Sequence, residues 1–452
     1  MSVSEMNFSR RDFLRGAVIA TASFAAVRDR ALAMDGQMPP TEAGGEPQIP
    51  DRLIASAPVL QNAAETSIGV AFAVSADASG WVDVSTSPDM AHPRRFHSGG
   101  AGVMDVNDKV ALVRVRGLEP ATRYWYRAGA DRIAYKTGYK MRILGVEEDD
   151  SVHSFMTLGE RAEGSFCVIN DTHERKDSLD AVFSKIREIK PAVVIWNGDA
   201  SNCSETFDRA MDVFIRPHAN HPGYAADTPY MFLNGNHDFR GRFNRRLREL
   251  MMWREAAERR GEYAELGRNF VQRLGDVALI GLDTGEDKLD TNPRFGGIFR
   301  MKEYRELQTR WLAEEIEKPA IRTARFKVAF CHIPLFDPRP EANPGDLVPA
   351  DVAEGYDGDY AAWQRTCARM WTPLFEKAGV NLVVCGHQHR FRYDPPNGSR
   401  HWAQIVGGGP TIEASSMERC PTVIEGRVGH GGLCVTVHSM ANGQIIFKEV
   451  FS

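Results

Sequence analysis

Five short hydrophobic runs in this chain each end on a small polar cluster, and this feature narrows the possible folds more than any other. Phe166-Cys-Val-Ile runs into Asn170-Asp171-Thr172-His173, and Ala192-Val-Val-Ile-Trp-Asn197 runs into Gly198-Asp199. Tyr230-Met-Phe-Leu ends at Asn234-Gly235-Asn236-His237-Asp238, Phe326-Lys-Val-Ala-Phe330 at Cys331-His332, and Asn381-Leu-Val-Val384 at Cys385-Gly386-His387-Gln388-His389. Helical patterns lie between them, over Leu179 to Ile189, Glu205 to Ile215 and Gln308 to Glu317. Such an alternation of buried strands and amphipathic helices predicts an α/β sheet. In these sheets ligands bind beyond the carboxyl ends of the strands, so clusters spread from Asp171 to His389 are expected to converge in space. Asn269 to Leu274 and Asp276 to Asp283 read as a hairpin between them.

The convergent residues suit one kind of chemistry. Asp171, Asp199, Asn236, His173, His332, His387 and His389 offer oxygen and imidazole donors, with His237 and Asp238 beside them. That donor set fits borderline-hard divalent or mixed-valence ions such as iron, manganese or zinc. A single carboxylate can bridge two such ions, which together hold a hydroxide and neutralise phosphoryl oxygens in an in-line displacement. A histidine outside the ligand set remains available to donate a proton near neutral pH.

In order and in full, Asp-x-His, Gly-Asp, Gly-Asn-His-Asp, a lone His and Gly-His-x-His resemble the pattern of the calcineurin-like metallophosphoesterase superfamily, over roughly residues 165–450. The resemblance implies a four-layer α/β/β/α sandwich. It implies a first metal held by Asp171, His173, Asp199 and His389, and a second held by Asp199, Asn236, His332 and His387, with Asp199 bridging. It makes His237 the phosphate contact and general acid, oriented by Asp238. Two departures narrow the relationship. Purple acid phosphatases carry a tyrosine three residues after the bridging aspartate, where this chain has Asn202, and usually lack a histidine at the position of His173; the expectation is a colourless or weakly coloured protein. Protein serine/threonine phosphatases carry Asp-Arg-Gly after the second motif, which Gly198-Asp-Ala-Ser-Asn-Cys203 does not contain.

Ahead of this region, residues 53–159 change texture. Thr66 to Val74, Trp81 to Ser85 and Lys109 to Val115 alternate with a period of two between turn residues, as antiparallel strands do. Tyr124 and Tyr126 fall on one face, where they fill or edge a core. The segment resembles a fibronectin type III domain and the N-terminal sandwich of purple acid phosphatases, and its expected role is structural.

Residues 1–33 read as a separate object. Ser9-Arg10-Arg11-Asp12-Phe13-Leu14 precedes a weakly apolar stretch from Gly16 to Val27, and Ala31-Leu32-Ala33 offers a small-x-small cleavage site. The apolar stretch is well short of the ~20 residues that cross a bilayer, so no transmembrane anchor is expected once it is removed. The paired arginines resemble a twin-arginine export signal, which implies the twin-arginine machinery as partner and a periplasmic or secreted location. Residues 34–52 read as a flexible linker, leaving 165–452 as the phosphoesterase domain. Seven cysteines, all from Cys167 onward, form no disulfide framework and read as free thiols. A net charge of -5 argues against a stable nucleic-acid partner.

The combined expectation is an exported dinuclear-metal hydrolase of small-molecule phosphomonoesters. The alternative is a phosphodiesterase acting on cyclic nucleotides, nucleotides or glycerophosphodiesters. A minor alternative is a non-catalytic envelope binding protein, which would need missing ligands where none is missing. For substrate contacts, the candidates are the acidic stretch 335–361 with Arg339, the cluster Arg242, Arg245, Arg246 and Arg248, and Gly407-Gly408-Gly409. The acidic stretch would roof the cleft or lie as a solvated loop. The glycines would bring backbone to the substrate or simply turn the chain.

Overall fold

Eight strands come first: β1 (Val59–Gln61), β2 (Ser67–Ala73), β3 (Ala78–Ser85), β4 (Arg94–His97), β5 (Val110–Arg116), β6 (Arg123–Thr137), β7 (Lys140–Glu148) and β8 (His153–Met156). In β5, Val113 and Val115 are fully buried while Arg114 and Arg116 turn outward. In β6, Tyr124, Tyr126, Ala128 and Ala130 face the core, and Tyr124 stacks on Phe155 at 5.7 Å. The computed structural model describes residues 51–137, 139–217, 221–253, 261–337, 355–414 and 416–452. The export signal expected over 1–33 lies outside them, as do most of the 34–52 linker and residues 338–354 of the acidic stretch, Arg339 included.

From Ser165 onward, strands and helices alternate as β9 (Ser165–Ile169), α1 (Lys176–Ile189), β10 (Val193–Asn197), α2 (Phe207–Phe214), β11 (Tyr230–Leu233), β12 (Phe270–Leu274), β13 (Val277–Leu282), α3 (Met301–Glu315), α4 (Pro319–Arg322), β14 (Phe326–Cys331), α5 (Gly355–Ala378), β15 (Leu382–Cys385), β16 (Arg392–Asp394), β17 (Ala403–Val406), β18 (Thr422–Gly429), β19 (Gly432–Ser439) and β20 (Ile445–Phe451). Two large sheets result, in the orders β20-β19-β18-β9-β10-β11-β1-β2-β5 and β12-β13-β14-β15-β17-β16. Phe166, Val168, Val193 and Ile195 of the first meet Phe326, Val328, Phe330 and Val384 of the second, with Phe166 edge-on to Phe330 at 5.7 Å. On the outer face of the first sheet, α1 packs Leu179, Val182, Phe183 and Ile186 against Ile169, Val194 and Trp196. These four positions follow the i, i+3, i+4, i+7 rule for one helical face. On the outer face of the second, Trp311 and Leu312 of α3 and Trp371 and Phe375 of α5 cover Ile280, Ala329 and Val383. The architecture is thus the four-layer α/β/β/α sandwich, with an N-terminal β region added.

That β region is joined to the rest through its backbone. β1 pairs in parallel with β11 (Gln61 opposite Tyr230), so β1, β2 and β5 continue the first large sheet. The remaining N-terminal strands form the sheet β4-β3-β6-β7, with β8 on β6. Val82, Val84, Tyr126 and Phe155 share one core with Phe166 and Leu274, and residues 51–452 form a single compact unit. Among the described residues no helix is long and apolar enough to cross a membrane.

The carboxyl ends of β9, β10 and β11 are neighbours, because the three strands run parallel in register. Those of β14, β15 and β17 are likewise parallel neighbours. Asn197 closes the gap between the two sheets: its Nδ2 donates to the carbonyls of Cys331 (3.3 Å) and Val384 (3.0 Å).

Candidate metal centre

Beyond these strand ends the backbone leaves ordinary conformations. Asp171, His173, Asp199, His387 and His389 all have φ between +45° and +72°. Left-handed backbone at non-glycine residues costs roughly 1–3 kcal/mol each and persists where surrounding bonds hold it. Here the amides of Asp171 and His173 donate to the carbonyls of Gly198 and Asp199, both at 3.0 Å. Gly235 has no room for a side chain, since a Cβ there would collide with the Asp199 carboxylate.

The side chains form two groups that share Asp199. Asp171, His173, Asp199 and His389 compose one, and Asp199, His332 and His387 the other, with ligand atoms in each within 4.8 Å of one another. Asn236 joins the second group, its Oδ1 lying 2.8 Å from Nδ1 of His387. Asp171 Oδ1 has His389 Nε2 at 3.2 Å and the Nε2 atoms of His173 and His332 at 3.8 Å each, yet it accepts no hydrogen bond. Two imidazole nitrogens, Nε2 of His173 and of His389, face each other at 3.0 Å. His332 donates from Nδ1 to the Asn197 carbonyl at 2.9 Å, while its buried Nε2 lies 3.2 Å from Asp199 Oδ2 without a hydrogen bond. Buried imidazole nitrogens and carboxylate oxygens converging on one another are what a cation resolves. The cluster fits two divalent ions and is a dinuclear metal-binding site.

Opposite charges crowd the same point. Burial opposes a charge on His332, but Asp199 and Asp171 outweigh it and push its pKa up to about 10. Burial raises Asp199, and the facing His332 overcomes this and brings it down to about 2. Desolvation of the half-buried His387 and the nearby His332 depress its pKa to about 4. Its ring is fixed from the other side by Tyr360 of α5, stacked at 5.0 Å.

His237 lies beside this cluster, its ring edge-on to His173 at 4.8 Å, and its amide donates to Asp199 Oδ1 at 2.8 Å. The expectation that Asp238 orients His237 is corrected by the contacts. The short 3₁₀ turn His237–Phe239 sends the two side chains in different directions. Asp238 is buried and accepts from the amides of Gly235 and Ser201, both at 2.9 Å, so it pins the second and third motif loops together. Burial and the nearby Asp199 raise its pKa to about 6. The His237 ring is held instead by the Asn202 carbonyl, 3.2 Å from Nδ1. Asn202 serves His173 as well, through Oδ1 at 2.8 Å from its Nδ1. The position singled out for lacking a tyrosine therefore orients two of the site's imidazoles.

Sequence reasoning missed a second group. Arg240 donates from Nη1 to Nε2 of His237 at 3.0 Å. Its Nε and Nη2 pair with Glu286 at 3.2 and 2.9 Å, and Nη2 also with Asp287 at 3.1 Å. Burial and the bond to Asp287 push Glu286 up to about 7. Burial, then Asp199 opposing and Arg240 and His173 assisting, set the pKa of His237 below the usual imidazole value. The available signal was Glu286-Asp287-Lys288, a polar run just beyond β13, the same signature as the other five motifs but without a histidine.

The other candidates resolve differently. Arg242, Arg245, Arg246 and Arg248 are exposed, and Arg246 pairs with Glu249. Gly407, Gly408 and Gly409 admit Asn170, the Cys420 carbonyl and His389 respectively, so the triplet serves packing under the site. Asp337, at the described start of the acidic stretch, is buried and accepts from Gln388 at 2.7 Å. All seven cysteines are free thiols, with Cys203 exposed and the Sγ atoms of Cys331 and Cys385 3.7 Å apart.

Residues 164–391 match the family model described as calcineurin-like phosphoesterase. Among solved structures, the chain is similar to purple acid phosphatase PPD1 from yellow lupin (Lupinus luteus). That structure is 14% identical, with 88% of this chain and 74% of that chain covered and a TM-score of 0.59, a likeness of fold. GAP50, the anchor in the inner membrane complex of Plasmodium, is 14% identical over 65% of this chain and 89% of its own, with a TM-score of 0.45. The phosphoesterase Yfce from E. coli is 10% identical over 64% and 100%, with a TM-score of 0.29. No curated protein sequence matches the chain.

Proposed function

Because the chain belongs to the calcineurin-like phosphoesterase family and carries a dinuclear metal-binding site, it is a metal-dependent phosphoester hydrolase, and we propose that it is exported and acts on small-molecule phosphomonoesters. The observation that carries the chemistry is the pair of donor groups meeting at the single carboxylate of Asp199. We assign Asp171, His173, Asp199 and His389 to one ion, and Asp199, Asn236, His332 and His387 to the other. When bound, two such ions supply a water acidified toward neutral pH and positive charge for the phosphoryl oxygens.

The chain's own residues do the rest. Asn197 and Asn202 fix the tautomers of His332 and His173 by occupying Nδ1 and turning Nε2 inward. His237, its Nδ1 proton engaged by the Asn202 carbonyl, accepts from Arg240 at Nε2; we assign it the proton transfer to the departing oxygen, for which Nε2 takes up a proton and turns from Arg240 to the substrate. Arg240 beside it supports a dianionic substrate over a monoanionic one. Asp238 acts indirectly, by holding the loops that carry Asp199 and Asn236. Export rests on Ser9-Arg10-Arg11-Asp12-Phe13-Leu14 and the apolar segment after it.

A panel of mono- and diesters sharing one leaving group, with a cyclic nucleotide and a glycerophosphodiester added, tests the substrate class on the metal-replete protein. A kcat/KM preference for monoesters of about a hundredfold corresponds to ~2.7 kcal/mol of differential transition-state binding. A preference for any diester overturns the monoester reading. The absorption spectrum tests Asn202 separately: a strong visible band from a tyrosinate–iron transition would contradict the expected lack of colour. Fractionation of the native host, with the protein retained in the cytoplasm, would sink export.

A further inference from the structure

Arg240 differs from the arginines around it in how it is held. Glu286 and Asp287, whose side chains are each 1% exposed, grip its Nε and Nη2, while the Arg240 side chain stays 22% exposed. Lys288 also pairs with Asp287 and lies 3.6 Å from Glu286. Two cations thus meet two acidic side chains, and the two-point grip of Glu286 fixes the plane of the guanidinium. A guanidinium has five N–H donors. Glu286, Asp287 and His237 take four, and the one remaining is on Nη1, the nitrogen that faces His237. His237 in turn touches Asp199 through its amide and His173 through its ring. The open donor therefore lies one imidazole away from the metal cluster.

A phosphomonoester has three non-bridging oxygens and a diester has two. Two metal ions and a proton-donating imidazole already use part of that set, and a rigid third cation adds a contact that only the monoester answers with a full charge. We propose that Arg240 donates from Nη1 to a non-bridging phosphoryl oxygen of the substrate, that Glu286 is the positioning residue that holds its plane, and that this contact selects monoesters over diesters. This deepens the phosphomonoester reading and rests on it.

The test compares wild type with Arg240→Gln, Glu286→Gln and the double variant. Each metal-replete protein is titrated with inorganic phosphate by calorimetry and assayed on p-nitrophenyl phosphate and bis(p-nitrophenyl) phosphate, with metal content measured alongside. Losing a charge-assisted bond should weaken phosphate binding on the order of 10- to 100-fold in Arg240→Gln. The double variant, which removes the orphaned Glu286 charge as well, should stay equally weak. Glu286→Gln alone should weaken phosphate binding less, with both metals retained. Monoester kcat/KM should fall about tenfold further than diester kcat/KM in both Arg240 variants.

Unchanged phosphate affinity in Arg240→Gln overturns the proposal. So does affinity restored in the double variant, since that is the behaviour of a structural counter-ion. If Arg240→Gln loses metal or fails to fold, the double variant decides on the same criterion. A wild-type preference for the diester sinks the monoester reading and the selectivity step with it, whereas the phosphate titration judges the Arg240 contact on its own.

Discussion

Two histidine–carboxylate clusters in this protein, one half-buried and one buried, contain the same residue types and behave differently. At the seam of the N-terminal strands, His153 lies between two carboxylates, Nε2 3.3 Å from Asp149 and Nδ1 3.6 Å from Asp227. Both carboxylates hold a second donor, the amides of Ser151 (3.1 Å) and Ser154 (2.7 Å), and the imidazole rests on Tyr126 at 5.5 Å. That cluster is complete with one proton added. At the metal centre, imidazole nitrogens face each other and Asp171 Oδ1 accepts nothing from the three around it. One carboxylate oxygen here has three imidazole nitrogens within 3.8 Å. A metal site is therefore marked by lone pairs aimed at one another, and a count of histidines and aspartates does not distinguish the two clusters.

The sharpest way to break the comparison is to make the same change in both. Asp199→Asn should reduce hydrolysis to background and remove most bound metal, because both donor groups lose their shared carboxylate. Asp149→Asn should leave metal content and activity near wild type; loss of metal there would mean that the two clusters are not independent. His237→Ala follows, with turnover lowered ~10²–10⁴-fold, most for poor leaving groups, and both metals retained. Full activity of that variant on unactivated esters would remove His237 from the proton-donating role. Asn202→Ala should be milder. It frees Nδ1 of His173 but keeps the backbone carbonyl that holds His237, and loss of such an outer partner costs about 10–100-fold in metal affinity. Competition with a chelator measures it, and unchanged affinity would show that His173 orients itself.

Sequence legibility follows the same divide. Asp171, Asp199, Asn236, His332 and His387 were readable because each lies just beyond the end of a fully buried strand, and a parallel sheet brings such ends together by topology alone. Which side chain touches which was not readable at that level. His237 and Asp238 are adjacent, and adjacency suggested a pair, but a 3₁₀ turn separates them and gives Asp238 to backbone amides. Arg240 meets Glu286 across a long stretch of chain whose last turn carries no periodicity. The β texture of 53–159 was visible in its alternation, whereas its attachment was not. Strand propensity is the same for β1 whether it closes a separate sandwich or, as here, pairs with β11 through one register contact at Gln61 and Tyr230.

The smallest effect tests the complete cluster, and it should depend on pH. Burial works against a charged His153, but its bonds to Asp149 and Asp227 outweigh burial and bring its pKa up to about 9. A folded-state pKa above the unfolded value of ~6.5 means stability that is fully present below pH ~6.5 and is lost as pH rises through ~9. The Asp227 side chain is 63% exposed, so solvent screening reduces the contribution to about 2 kcal/mol. Urea unfolding of His153→Gln and wild type should differ by about that amount at pH 6 and converge by pH ~10. Since β8 carries His153 and the segment before β11 carries Asp227, the wild-type protein should loosen at this seam under alkaline conditions while the metal centre holds its ions. A difference between the two proteins that stays constant across the range would show that His153 contributes packing on Tyr126 and no charge.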